Sequence, residues 1–258
     1  MRSTKLLVFL AATIAVAGCI DTVKPPAARP YATVFLNISP TTPGNYVVAP
    51  TGTVFQAQIL QLQNSRSAVD SCVLAQYSPP TDLPLDFISA GDSILLSIGG
   101  VTRYLKPVTT SGITHYVLAG AGTAGITPGA LFTVTTPGAA TGFPAATVSS
   151  NTPAAFTMSP INVLPNNSIE VKWTPRGDDS SHFTFALEYA SGSSTLNVQI
   201  VCTTPDDGID TVQNTITTGY RAATLRRVEA ARWRTAQSAV GDATLYIYSA
   251  YNIPPFAP

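Results

Sequence analysis

The sequence predicts an all-β protein of two sandwich domains behind an export leader. Three observations carry that expectation. Short β-rich runs recur from Tyr31 to the C-terminus, with Pro, Gly, Asn and Asp clustered between them. Charged residues are only 11 %, against about 25 % in an ordinary soluble domain, while hydrophobic residues reach 45 %. A Pro- and Asn-rich break lies between Asn151 and Asn167, after which a fresh set of alternating strands begins. Pro 21 and Gly 18 in 258 residues stay well below the roughly 25–30 % of a disordered low-complexity chain. The formal net charge is zero, which argues against nucleic-acid binding, because phosphate neutralisation needs clustered positive charge.

The leader comes first. Arg2 and Lys5 form a basic head, and Leu6 to Ala17 is apolar apart from Thr13. That run falls short of the about 20 residues a membrane-spanning helix needs and fits a secretory signal. It ends Val16-Ala17-Gly18-Cys19. This resembles the lipobox of bacterial lipoproteins. The resemblance implies a signal peptide over residues 1–18, cleavage after Gly18, and a diacylglyceryl thioether on Cys19. It also implies a third acyl chain, such as palmitate, on the new amine. Two or more chains hold a protein stably on a bilayer. The alternatives are an uncleaved anchor or an ordinary signal peptide. Ile20 rather than Asp follows the Cys, which by the same resemblance favours the outer membrane over the inner. Removing Arg2 and Lys5 from a chain with 14 basic and 14 acidic residues leaves a net charge of −2. The lipid is therefore expected to attach the protein to the membrane without a polybasic patch.

Residues 19–30, with Pro25, Pro26 and Pro30, read as a lipidated Cys and an extended tether. The first sandwich is expected over residues 31–155. Its strands are Val34–Ile38, Val54–Leu62, Cys72–Tyr77, Ser93–Ile98, Val101–Lys106, Ile113–Leu118, Leu131–Thr135 and Ala145–Val148. Gly99-Gly100 between two β runs predicts a two-residue hairpin, since both turn residues can take positive φ. The second sandwich is expected over residues 156–258. Ile169–Trp173, Phe183–Tyr189 and Leu196–Cys202 each alternate apolar with polar residues, as half-buried strands do. Trp173-Thr174-Pro175 followed by Phe183-x-Phe185-x-Leu187-x-Tyr189 resembles the early strands of a fibronectin type III domain. That resemblance implies an immunoglobulin-like sandwich with Trp173 packed in the core against the following strands. It implies nothing about a ligand.

Thr211 to Ala239 is ambiguous, because Ala222 to Ala236 contains good helix formers without a clean helical stripe. Leu245-Tyr246-Ile247-Tyr248 is a strand, so an antiparallel partner is expected over Ala230–Ala236, paired with Asp242–Ala250. Setting Ala236 opposite Asp242 places Trp233 opposite Leu245 and Arg232 opposite Tyr246. Trp233, Leu245 and Ile247 then face the core, while Arg232, Arg234, Tyr246 and Tyr248 face solvent. Before Ala230 this parity turns Arg227 and Glu229 inward, which predicts a bulge, a strand end or a helical turn there.

No catalytic pattern is present: no metalloprotease helix motif, nucleophile elbow, phosphate loop or dinucleotide glycine pattern. His115 falls in an expected strand and His182 in a turn, and both read as structural or solvated. A non-enzymatic protein without a cofactor is expected. Asp206, Asp207 and Asp210 could offer oxygens to Ca²⁺ but match no EF-hand spacing, and an Asp-Gly turn with solvated side chains is the simpler reading. Asp178-Asp179 reads as a turn, and Arg176-Gly177-Asp178 is too short a match to an integrin-binding tripeptide to mean anything. Arg232, Arg234, Tyr246 and Tyr248, with Trp233 and Tyr251 nearby, could stack on sugars or anchor a protein partner. Cross-strand pairing on a solvated sheet face is the alternative. Cys72 and Cys202 read as buried thiols in separate domains, with a disulfide as the alternative. The function expected is a lipid-anchored envelope protein with a binding or structural role. The alternative is a carbohydrate- or adhesion-type module using the Tyr/Arg face.

Overall fold

A computed structural model describes residues 27–42, 44–57, 70–76, 86–119, 124–176 and 181–258. The signal segment, Cys19, Asp178 and Asp179 lie outside these residues, as does the expected end of the second strand at 58–62. The strands are β1 (Arg29–Thr42), β2 (Asn45–Ala57), β3 (Ser71–Gln76), β4 (Asp86–Phe87), β5 (Ile94–Ile98), β6 (Val101–Thr110), β7 (Ile113–Leu118), β8 (Ala124–Gly125) and β9 (Leu131–Thr136). They continue as β10 (Ala146–Asn151), β11 (Asn162–Val163), β12 (Ile169–Lys172), β13 (His182–Tyr189), β14 (Val198–Pro205), β15 (Ile209–Val212), β16 (Arg226–Val240) and β17 (Ala243–Asn252). Among the described residues one helix, α1 (Asn214–Ala222), lies between β15 and β16. The chain is all-β, as its alternating runs predict.

The division into two sandwiches is not what the strands form. A 14-stranded sheet runs β10-β9-β5-β6-β7-β2-β1-β17-β16-β13-β14-β3, with β4 and β8 also on β2. Strands from both sides of the Asn151–Asn167 break share it. β1 pairs in parallel with β17 from Tyr31↔Thr244 to Ile38↔Tyr251, and β3 pairs with β14 at the far edge. A second sheet, β11-β12-β15, has three strands. The large sheet curls so that β10 lies against β16 and β17. Its inner face builds one continuous core from Val34, Leu36, Leu96 and Phe132 through Phe183, Phe185 and Leu245. The break in the sequence marks a change of layer rather than the end of a domain.

Cys72 and Cys202 are bonded to each other, opposite one another on β3 and β14, with Cα atoms 4.0 Å apart. The expectation of two separate buried thiols fails because β3 crosses to the edge of the C-terminal strands. A bridge across a separation of 130 residues contributes about 5 kcal/mol in the chain-entropy model.

Local turn chemistry sets the hairpins. Gly99 and Gly100 have φ of +55° and +79° and join Ile98 directly to Val101, as their sequence predicts. Ser111 and Gly112 do the same between Thr110 and Ile113, at φ +52° and +80°. The β16–β17 hairpin turns at Gly241-Asp242, with Val240 opposite Ala243 and Gly241 at φ +60°.

That tight turn corrects the expected register. Ala236 opposes Ile247 rather than Asp242, Trp233 opposes Ala250, and Arg232 opposes Tyr251. The slip is odd, so it exchanges the faces of β16. Val228, Ala230 and Arg232 point inward, while Arg227, Glu229, Ala231 and Trp233 point outward. No bulge or helical turn interrupts β16 before Ala230, because Arg227 and Glu229 no longer need to be kept out of the core. On β17 the expected faces hold: Leu245 and Ile247 are buried, and Tyr246 and Tyr248 are half-exposed on the other side.

Candidate functional site

The inward turn of Arg232 builds a buried polar centre. Its side chain is 1 % exposed, and its Nε sits 2.6 Å from Asp206 Oδ2 in an ion pair. One terminal nitrogen donates to Asp206 Oδ1 at 2.9 Å and to the Thr174 carbonyl. The other donates to the Ala155 carbonyl at 3.0 Å and the Ala154 carbonyl at 3.3 Å. Asp206 Oδ1 also accepts from Trp173 Nε1 at 2.8 Å, and the guanidinium lies 5.3 Å from the Phe156 ring centre. A planar fork of five donors suits this convergence of carbonyls and one carboxylate. The cluster clamps the segment before β11 and the end of β12 onto the large sheet. Trp173 stacks on Phe183 of β13 at 4.0 Å with nearly parallel rings. Asp206 is therefore engaged in the core and offers nothing to a surface cation.

The other two loop carboxylates are separately employed. Asp207 Oδ1 accepts from the Ile209 amide at 3.3 Å, and Asp210 Oδ1 from the Thr211 amide at 2.6 Å. Burial, with smaller repulsion from Asp70 and Asp207, pushes the Asp210 carboxyl above its ordinary value. Among the described residues, one group of three potential metal ligands converges: Cys72, Cys202 and Asp210. Its two sulfurs are already bonded to each other.

The outer face of the same strands carries the remaining sequence candidates. Trp233 stands between His182 on β13, at 4.5 Å and 16°, and Tyr248 on β17, at 5.5 Å and 26°. Tyr248 in turn meets Phe35 on β1 at 5.8 Å. Tyr246 packs on Tyr31, and Tyr31 on Phe55. Rings this close and this nearly parallel lie face to face, so Trp233 shows solvent its edge. Trp233 Nε1 donates to Thr184 Oγ1 at 2.8 Å. Arg234 points inward and donates from Nε to Ser181 Oγ at 2.8 Å. The expected face of Arg232, Arg234, Tyr246 and Tyr248 is thus divided between two sides of the sheet. Tyr251, on the inner side, is buried against Phe156 and Tyr46. His115 is half-buried on β7 opposite Thr53, far along the sheet from His182.

Beyond Trp233 the outer face dips into an open groove of about 890 Å³. Its lining includes small side chains, Ala75, Ala186 and Ala231, and polar ones, Gln199, Asn252 and Glu229. Glu229 meets Arg227 at 3.0 Å, and Arg227 also pairs with the buried Glu188. Burial, followed by the charge of Glu188, raises the Glu229 carboxyl above its ordinary value, against the pull of Arg227. The sequence offered no sign of this groove, since its residues come from six strands and the C-terminal segment.

No protein-family model matches the sequence, and no curated protein matches it either. Among solved structures, the chain is similar to the Fcho1 Mu homology domain of Danio rerio with bound Eps15 peptide. The identity is 10 %, with 90 % of this chain and 98 % of that one covered, at a TM-score of 0.25. At that score nothing about fold or ligand carries across.

Proposed function

We propose that the protein is a lipid-anchored envelope protein, held at the outer membrane through acyl chains on Cys19, with a non-catalytic binding or structural role. One observation carries the structural side of this reading. β1 begins at Arg29, about ten residues after Cys19, and runs between β2 and β17 in the interior of the large sheet. A tether of that length reaches at most about 36 Å. Tension on the anchor would load a strand hydrogen-bonded along both edges, a sound attachment for a body held at a membrane.

A second reading, a carbohydrate- or adhesion-type module, is favoured by the groove rather than by the aromatic row. The groove supplies polar side chains over a floor of small ones, whereas the faces of Trp233 are already covered. Cys19→Ala tests the first reading: the variant should lose acyl labelling and leave the membrane fraction. Retention of the variant in the membrane would overturn it. Screening the lipidated protein against envelope glycans tests the second, and the absence of any glycan bound would leave the structural role.

A further inference from the structure

We infer that the β6–β7 hairpin tip is a second, peripheral contact with the lipid surface, which sets how the anchored protein stands on the membrane. This inference rests on the lipid-anchored reading. The register fixes the geometry. One row crosses five strands, from Tyr246 on β17 through Thr33 on β1, Thr53 on β2 and His115 on β7 to Val108 on β6. From that row, Arg29, Ser111-Gly112 and Gly241-Asp242 all lie a few residues away in the same direction. The start of β1 and both hairpin turns therefore sit at one end of the sheet. The tether from Cys19 enters there, so that end faces the bilayer. The β1–β2 turn after Thr42 and the groove-lining Asn252 lie towards the other end.

The hairpin is built unlike the rest of the molecule. Pairing of β7 with β2 stops at His115, and pairing of β6 with β5 stops at Leu105. Beyond those points the ribbon has no other strand neighbour among the described residues. From Lys106 to Ile113 every residue is exposed, on both faces. A two-stranded ribbon of this kind is marginal in water unless something covers it. Yet Val108 and Ile113, 41 % and 43 % exposed, share one face of it. Lys106 stands on that same ribbon face, behind the tip, its ammonium 3.5 Å from the Asp92 carbonyl and 5.9 Å from the Tyr104 ring centre, from where its long stem can swing to a lipid phosphate. Pro107, together with the Thr109–Thr114 hydroxyl pair at 3.0 Å, stiffens the ribbon.

Two aliphatic side chains and one lysine are too little to recruit a free protein to a membrane. Tethering changes this, because a short linker holds the tip at high effective concentration beside the surface, and a weak contact is then populated. The lipid supplies attachment and the hairpin supplies orientation.

The test uses the lipidated full chain in vesicles of phosphatidylethanolamine and phosphatidylglycerol. Cys19 is blocked by its thioether and Cys72 by Cys202, so Ile113→Cys offers a unique thiol for an environment-sensitive fluorophore. Ser193→Cys, in the exposed turn at the far end of β13, serves as the distal reference. The expected result is a blue shift at position 113 and loss of its emission with spin-labelled lipid, with neither change at position 193. Equal, water-like emission at both positions, in protein that floats with the vesicles, overturns the hairpin contact and leaves the lipid anchor standing. A blue shift at 113 that depends on protein concentration and ignores the quencher also overturns it, in favour of pairing between copies. Protein without acyl mass that fails to float overturns the lipid-anchored reading itself.

Discussion

Arg232 and Trp233 are neighbours on β16, and the sheet sends them to opposite sides. On the inner side, Arg232 is sealed among Asp206, three backbone carbonyls and Phe156. On the outer side, Trp233 is half-exposed in a row of rings. Hydrophobicity alone would reverse them. The reversal stands because Arg232 inward costs one buried charge that is ion-paired with Asp206 and bonded through both terminal nitrogens. The opposite parity would bury Arg227 and Glu229 instead. A buried ion pair of this kind adds little over an apolar core, but half of one is costly. The two faces should therefore answer mutation very differently.

The largest effect is expected inside. Arg232→Ala strands the Asp206 carboxylate and should cost about 3–5 kcal/mol in denaturant melts. The outer face should respond less. Trp233→Ala loses cross-strand ring contacts on a partly solvated surface and should cost about 1 kcal/mol. A Trp233→Ala variant that melts like Arg232→Ala would break the contrast and return Trp233 to the core. The smallest effect concerns pH. The Asp210 carboxyl is raised in the fold, so the native state binds more protons than the unfolded one above the ordinary carboxylate value. By linkage, its contribution is fully present below that value and is lost as pH rises through the folded pKa. Asp210→Asn keeps an acceptor for the Thr211 amide and should flatten that decline, seen as a smaller fall in stability between acid and neutral pH. An unchanged slope would mean that Asp210 is solvated in the native state.

Much of this architecture was legible as alternation and turn chemistry. Gly99-Gly100 announced its hairpin, and the inward and outward sets on β17 followed from Leu245, Tyr246, Ile247 and Tyr248. What escaped was non-local. Asp206 reads as a loop carboxylate until a strand 26 residues later brings Arg232 beside it. Nothing near Cys72 indicates that β3 joins the edge of the C-terminal strands. Helix α1 was missed because its threonines and Gly219 are poor helix formers. Burial of Thr217 and Tyr220 holds the helix in place, and Gly219 is needed because a Cβ there would lie 2.6 Å from the Tyr189 hydroxyl. The register error had a single physical source. A wide turn was assumed where Gly241 at positive φ permits a two-residue one, and an odd slip exchanges every side chain on the strand.

The central claim, that Arg232 belongs to the interior and is held there by Asp206, is tested most directly by a double-mutant cycle. Arg232→Ala, Asp206→Ala and the double variant should be compared by equilibrium denaturation. Each single variant leaves a buried partner unsatisfied, so the double variant should cost little more than either one, a coupling of about 2–3 kcal/mol. Two small single effects that simply add would place Arg232 in solvent and contradict the register of the β16–β17 hairpin.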